Sequence, residues 1–141
     1  MNLAIEVGNT QTKFGMFKTN ELVEVFSGEA LDMILSNYSI RNDIISKTGN
    51  DEEVQEKLRE KNILCFHLSA DLKLPIKVLY KTPQTLGADR IAGAVASHFL
   101  CPKKNVLKID FGTCITYDFI TAKGEYIGGA ISPGMMMRFK S

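Results

Sequence analysis

The chain has 141 residues, a formal net charge of +1, a hydrophobic fraction of 45% and a charged fraction of 23%, enough for one core, or one domain and part of another. The near-neutral balance excludes the basic footprint of a nucleic-acid binder, and no apolar run or signal-peptide layout points to a membrane. The three cysteines (Cys65, Cys101, Cys114) and two histidines (His67, His98) have no zinc-ligand spacing, so reduced thiols in a cytoplasmic protein are expected.

Residues 3–7 read as a buried strand closed by a turn. Gly8 and Asn9 both tolerate positive φ and can turn the chain, and residues 11–17 read as the return strand. The turn is expected to gather the carboxylate of Glu6, the backbone N–H groups of Gly8 and Asn9, the hydroxyls of Thr10 and Thr12, and the ammonium of Lys13. Small residues that admit the backbone, surrounded by donors, suit a phosphate. Unlike a Walker loop, this turn leads into a strand and not a helix.

A third strand is expected over residues 21–26, a short helix over 29–37 and a strand over 43–46. Asn50 with Glu53 resembles a capping box. The helix that follows has acids first (Asp51, Glu52, Glu53) and bases last (Lys57, Arg59, Lys61), which complements its dipole and reads as a solvated face. Residues 63–68 read as another strand. Three antiparallel strands followed by helix, strand, helix and strand predict a mixed sheet with helices packed on it.

Pro83 disfavours helix just before it. From about Gly87, Ala88, Ala92 and Ala96 stack at helical spacing beside Ile91, Val95 and Phe99, and Pro102 marks the end. So many small residues predict close packing against a sheet or a second copy of the helix. Asp89 and Arg90 fall in its first turn, where an acid suits the dipole; read structurally, Asp89 starts the helix and Arg90 is a surface charge. His98 reads as part of a helix face.

The program then restarts. Residues 105–110, 114–120 and 125–131 read as three strands, with Lys123-Gly124 at a turn. Val106 to Phe119 repeats the grammar of the first hairpin: Glu6 matches Asp110, Gly8 matches Gly112, and Thr10 roughly matches Thr113. Taken alone, each hairpin is also compatible with an ordinary glycine turn. Their repetition suggests two related half-domains facing each other across a nucleotide cleft. The helices that should cover the second sheet are absent, so an apolar face is expected to be exposed.

These pieces, in this order, resemble the type III pantothenate kinases of the sugar-kinase/Hsp70/actin superfold. Glu6-Val7-Gly8-Asn9-Thr10-Gln11-Thr12-Lys13 is similar to the family's first phosphate motif. Tyr80 followed by Thr82-Pro83-Gln84-Thr85-Leu86-Gly87-Ala88-Asp89-Arg90 is similar to its pantothenate and catalytic segment. Asp110-Phe111-Gly112-Thr113 is similar to its second phosphate motif, and Gly128-Gly129-Ala130-Ile131-Ser132-Pro133-Gly134 to the glycine-rich loop that follows. The resemblance implies an α/β, actin-like (ribonuclease H-like) ATPase fold: an N-terminal half-domain with connecting helix over residues 1–101, and an incomplete second half-domain over 102–141, as in a truncated or partial member.

By the same resemblance, ATP is held by Glu6, Val7, Gly8, Asn9, Thr10, Gln11, Thr12, Lys13 and Thr113, and pantothenate by Tyr80, Gly87, Ala88, Asp89 and Arg90. Asp89 is the catalytic acceptor of the substrate hydroxyl proton, and Asp110 binds an activating monovalent cation, potassium or ammonium. The implied reaction moves the γ-phosphoryl group of ATP, with magnesium, to pantothenate, the first step towards coenzyme A, in a cytoplasmic homodimer with no nucleic-acid or membrane partner. A carboxylate is far too weak a base to deprotonate an alcohol outright. A loose phosphoryl-transfer transition state asks mainly for alignment and charge stabilisation, so Asp89 orients the hydroxyl early and takes its proton late. Arg90 would meet the pantothenate carboxylate in a planar fork.

Two features depart from the family pattern. Glu6 stands where the family usually has aspartate, which moves the carboxylate outward by about 1.5 Å, one C–C bond; a misplacement of about 1 Å can cost on the order of 100-fold in rate. The family also continues well past the glycine-rich loop. Two other readings therefore stay open: a non-catalytic nucleotide-binding or regulatory accessory protein of the same fold, and another kinase of the superfold.

Overall fold

The computed structural model describes residues 1–139. The chain divides into two compact units, residues 1–68 and 69–141. The helix Ala88–Leu100 packs on strands that follow it in the chain, with Arg90, Ile91 and Ala94 buried.

In the first unit, β1 (Asn2–Val7), β2 (Thr12–Lys18) and β3 (Glu21–Ser27) form an antiparallel meander. Helix α1 (Leu31–Asn37) carries the chain to β4 (Asn42–Lys47), parallel to β1, and α2 (Glu52–Glu60) carries it to β5 (Cys65–His67), parallel to β4. The mixed sheet has the order β3-β2-β1-β4-β5, as parallel neighbours joined by helical crossovers require. Strand period places Leu3, Ile5 and Val7 on one face with Phe14, Met16 and Ile45, and there they meet Leu31, Ile34 and Leu58 of the helices. β5 is shorter than the expected strand over 63–68.

The expected capping box is replaced by a tighter arrangement. Asn50 Oδ1 accepts the Glu52 N–H at 3.1 Å, two residues on, while Glu53 pairs with Lys57 at 3.0 Å. An Asx turn satisfies the helix start sooner than a box can, which frees Glu53 for its partner one turn later.

One acid sits inside this core face. Asp43 is 3% exposed, and neither carboxylate oxygen has a conventional hydrogen-bond partner. Its neighbour across the β4–β5 register is Cys65. Burial raises the Asp43 carboxyl above the usual carboxylate range against a weaker opposing pull from that thiol. The Cys65 thiol is in turn pushed up to about 12 by burial and by Asp43, which leaves it protonated and unreactive. Cys65, Cys101 and Cys114 are all unpaired and half-buried.

The second unit has a sheet of order β6-β9-β8-β7. β6 (Lys77–Val78) leads to a 3-10 turn (Pro83–Thr85) and to α3 (Ala88–Leu100), which Gly87 starts. β7 (Val106–Phe111), β8 (Cys114–Ile120) and β9 (Glu125–Pro133) form an antiparallel meander, β6 lies parallel on β9, and α4 (Met135–Phe139) follows. Gly124 turns the chain between β8 and β9 at φ +75°. The expected glycine-rich loop over 128–134 is strand up to Pro133, leaving Gly134 outside it.

Helix α3 is fixed to β8 by a buried ion pair. Arg90 Nη2 and Nε lie 2.7 and 2.8 Å from Asp118 Oδ1, with Arg90 6% exposed and Asp118 fully buried. Tyr126 Oη donates to the same oxygen at 2.7 Å, and Arg90 Nη2 reaches the Tyr117 carbonyl at 3.3 Å. Burial opposes the Arg90 charge, but Asp118 outweighs it and holds the guanidinium above its ordinary range. Burial and the Asp118 carboxylate both push the Tyr126 phenol up. The opposite side of β7 is apolar, and Leu107, Ile109 and Phe111 are exposed along it. Among the described residues no helix is long and apolar enough to cross a membrane.

Two stability measurements check this account. Asp118→Ala strands a buried guanidinium and is expected to cost roughly 3–5 kcal/mol in denaturant unfolding. For Asp43 the folded carboxyl is the raised one, so the folded state binds more protons than the unfolded chain between about 3.9 and the raised value, and stability falls as pH rises through that window. Asp43→Asn is therefore expected to raise Tm at pH 7, with the gain closing below roughly pH 4.

Candidate active site

The two hairpin turns form as expected, by means other than positive φ. Gly8 N–H donates to the Gln11 carbonyl at 3.2 Å, and Gly112 N–H to the Cys114 carbonyl at 3.0 Å; neither glycine, nor Asn9, has a positive φ. The Gly8 amide is thus engaged inside its turn and is not the bare donor expected. The glycines serve close approach instead. A Cβ at Gly8 would lie 3.0 Å from the Gln11 carbonyl oxygen, and one at Gly49 would lie 2.8 Å from the carbonyl oxygen of Gly8.

Around the first turn the side chains separate. Glu6 and Lys13 are cross-strand partners in register, and Lys13 Nζ lies 3.3 Å from Glu6 Oε2 with both side chains about half exposed. Asn9, Thr10 and Gln11 are exposed at the bend. Val7 points into the core, and its carbonyl accepts the Thr48 and Gly49 N–H groups at 2.9 and 3.1 Å. Thr12 shares the core face with Phe14 and lines an open cleft of about 280 Å³ beside α1 and α2, with Asp32, Glu53 and Lys57. Adjacent strand residues point to opposite faces, so the side chains of Lys13 and Thr12 leave the sheet on opposite sides.

At the second turn, Gly134 N–H donates to the Thr113 carbonyl at 3.0 Å. A Cβ at Gly134 would collide with the carbonyl oxygens of both Thr113 and Gly112, so the glycine after β9 is seated directly on the turn. Thr113 is exposed, and Asp110 is exposed on β7. Lys108, two residues earlier on the same face, has its Nζ 3.3 Å from Asp110 Oδ2.

At the start of α3, Gly87 accepts the N–H groups of Arg90 and Ile91 at 3.1 and 3.2 Å. The Asp89 carboxylate folds back over Gly87, where a Cβ would collide with Asp89 Oδ1. Asp89 is half-buried and makes no hydrogen bond or ion pair with the described residues. Ala88 is half-buried beside it. Tyr80 stands over Tyr126 with ring centroids 6.3 Å apart, and a Cβ at Gly128 would lie 3.0 Å from the Tyr80 ring. Arg90 is not the surface charge of the structural reading. Its Nε–Nη2 edge is spent on Asp118, so the planar fork expected for a substrate carboxylate is already occupied, and an incoming carboxylate can meet only the Nη1 side.

Sequence reasoning missed Asp118, Tyr126 and Lys108. The available signal was a charged residue inside an apolar strand: Asp118 is flanked by Tyr117, Phe119 and Ile120, and Lys108 by Leu107 and Ile109. Among the described residues no group of three or more His, Cys, Asp or Glu could hold a metal ion. Magnesium needs only one or two carboxylates when it arrives with phosphates, and the exposed Glu6–Lys13 pair can part around it at little desolvation cost. The exposed Asp110 carboxylate has one neighbouring cation among the described residues, the Lys108 ammonium at 3.3 Å.

Comparison with known proteins agrees with the motifs. The family model described as type III pantothenate kinase matches residues 2–141. The chain is 46% identical over 147 residues to the type III pantothenate kinase of Phocaeicola vulgatus, covering all of this chain and 61% of that protein. It is 40% identical to that of Bacteroides fragilis and 43% to that of Christiangramia forsetii, covering 60% and 61% of those proteins. The chain thus spans about 60% of the length of these curated relatives. Among solved structures, the Aquifex aeolicus PPX-GPPA enzyme matches with a TM-score of 0.50 at 11% identity, over 99% of this chain and 54% of that one, which supports the actin-like fold. The chain belongs to the type III pantothenate kinase family.

Proposed function

We propose that this chain carries the phosphoryl-acceptor machinery of a kinase that converts pantothenate and ATP to 4'-phosphopantothenate and ADP, the entry step to coenzyme A. The observation that carries the reading is the half-buried, unpaired carboxylate of Asp89 at the start of a helix whose next residue is locked to the sheet. In the reaction the primary hydroxyl oxygen of pantothenate bonds to the γ-phosphorus as the bond from γ-phosphorus to the β,γ-bridging oxygen breaks. Asp89 accepts a hydrogen bond from the hydroxyl and receives its proton late in the transfer. Tyr80, Gly87 and Ala88 shape the pantothenate site, and Arg90 meets the substrate carboxylate through Nη1.

By the family resemblance Lys13, in the first unit, and Thr113, in the second, are each read as ATP-binding residues, and Glu6 would hold a magnesium ion accompanying the nucleotide. Magnesium, when bound, neutralises charge on the β- and γ-phosphates. By the family resemblance Asp110 is read as the position of an activating monovalent cation, potassium or ammonium. Residues 1–101 and 102–141 are read as the two halves of the fold, the first complete with its connecting helix. The unpaired cysteines support a reducing, cytoplasmic setting, and homodimerisation follows the family resemblance.

The test is a phosphorylation assay with pantothenate, ATP, magnesium and potassium. The parent chain is expected to turn over and Asp89→Asn to lose about 10²–10⁴-fold in kcat. A folded parent without turnover that still binds nucleotide would support the accessory-protein reading instead, and equal rates in both would remove Asp89 from the mechanism. Glu6→Asp is expected to raise kcat/KM by up to roughly 100-fold if the longer side chain misplaces the carboxylate; an unchanged rate would show that the glutamate is accommodated.

A further inference from the structure

We propose that Lys108 is a built-in cation for Asp110, so that this chain dispenses with the monovalent ion expected at that carboxylate. The proposal rests on reading Asp110 as a cation position.

Strand alternation puts Lys108 and Asp110 on one face of β7, the face that also carries Asp118 of β8, opposite Lys108 in register. Lys108 Nζ lies 3.3 Å from Asp110 Oδ2 and 3.5 Å from Asp118 Oδ2. Asp118 Oδ1 is taken by Arg90 and Tyr126, while Oδ2 makes no hydrogen bond and has this ammonium as its neighbouring charge. The lysine side chain is only 18% exposed, although a surface lysine would extend into water.

The helix above makes room for it. A Cβ at Gly93 of α3 would lie 2.6 Å from Lys108 Cε, 2.7 Å from Nζ and 2.8 Å from Cδ. Any side chain at position 93 would displace the lysine stem, so the absence of one and the course of the lysine belong together. A primary ammonium and a potassium ion share a charge and a preference for oxygen ligands. The tethered one has no translational freedom to lose on binding, and a second cation at the same carboxylate would meet a like charge at contact range. Asp110 thereby keeps a positive partner without a free ion.

The experiment compares the parent chain, Lys108→Met, Lys108→Gln, Asp110→Asn and Lys108→Met/Asp110→Asn. Melting temperatures are recorded in KCl and NaCl at equal ionic strength, and thallium(I), a potassium probe, is titrated by ²⁰⁵Tl NMR. The parent is expected to melt alike in both salts and to bind thallium weakly. Each single variant is expected to gain a potassium-specific rise in Tm and at least ~10-fold tighter thallium binding, both lost in the double variant. Lys108→Gln keeps the experiment decisive if Lys108→Met folds poorly. Tight thallium binding by the parent that Asp110→Asn abolishes would overturn the proposal and leave Asp110 as an ion site. Weak binding in every variant would overturn the proposal together with the assignment of Asp110.

Discussion

The second unit depends on one buried contact, the Arg90–Asp118 pair. A guanidinium and a carboxylate removed from water cost several kcal/mol each unless geometry and hydrogen bonds compensate. Here two guanidinium nitrogens and a tyrosine hydroxyl converge on one carboxylate oxygen, so the compensation is specific to one placement of the helix. Asp89 precedes Arg90 directly, so the pair fixes the position of the acid's backbone as well. Arg90 thereby ties the neighbouring acid to a structural anchor, so a change at Asp118 would reach Asp89, the acceptor in the proposed reaction, through the first turn of the helix.

The same contact explains why the unit boundary falls after residue 68. Helix α3 follows the first unit in sequence, but its buried residues, Arg90, Ile91 and Ala94, are engaged with strands that come later. At Gly93 the helix carries no side chain, and the lysine of β7 occupies the space left there. The sequence reading anticipated close packing of the helix against a sheet or a second copy, and the absence of a side chain at this position admits a charged one.

Much of the fold was legible because strand period is a strong signal. Leu3, Ile5 and Val7, then Phe14 and Met16, define the first hairpin, and the acid-x-glycine pattern of Glu6 and Gly8 locates its echo at Asp110 and Gly112. Asp89 was legible as a helix-start acid. What escaped depended on tertiary partners. Arg90 looks like a surface charge until β8 presents Asp118, Glu53 looks like a capping residue until Lys57 claims it, and Thr12 joins Lys13 in a motif although the pleat sends them to opposite faces. β6 has two residues and exists only because β9 is there to pair with it.

The seating of Gly134 on the second turn carries a consequence for genetics. Position 134 has no functional group to offer a nucleotide, yet a methyl group there would force apart the turn that presents Thr113. A screen for loss-of-function alleles would score this glycine alongside the residues proposed to hold ATP, and its effect would be read wrongly as lost contact when the cause is a wedge.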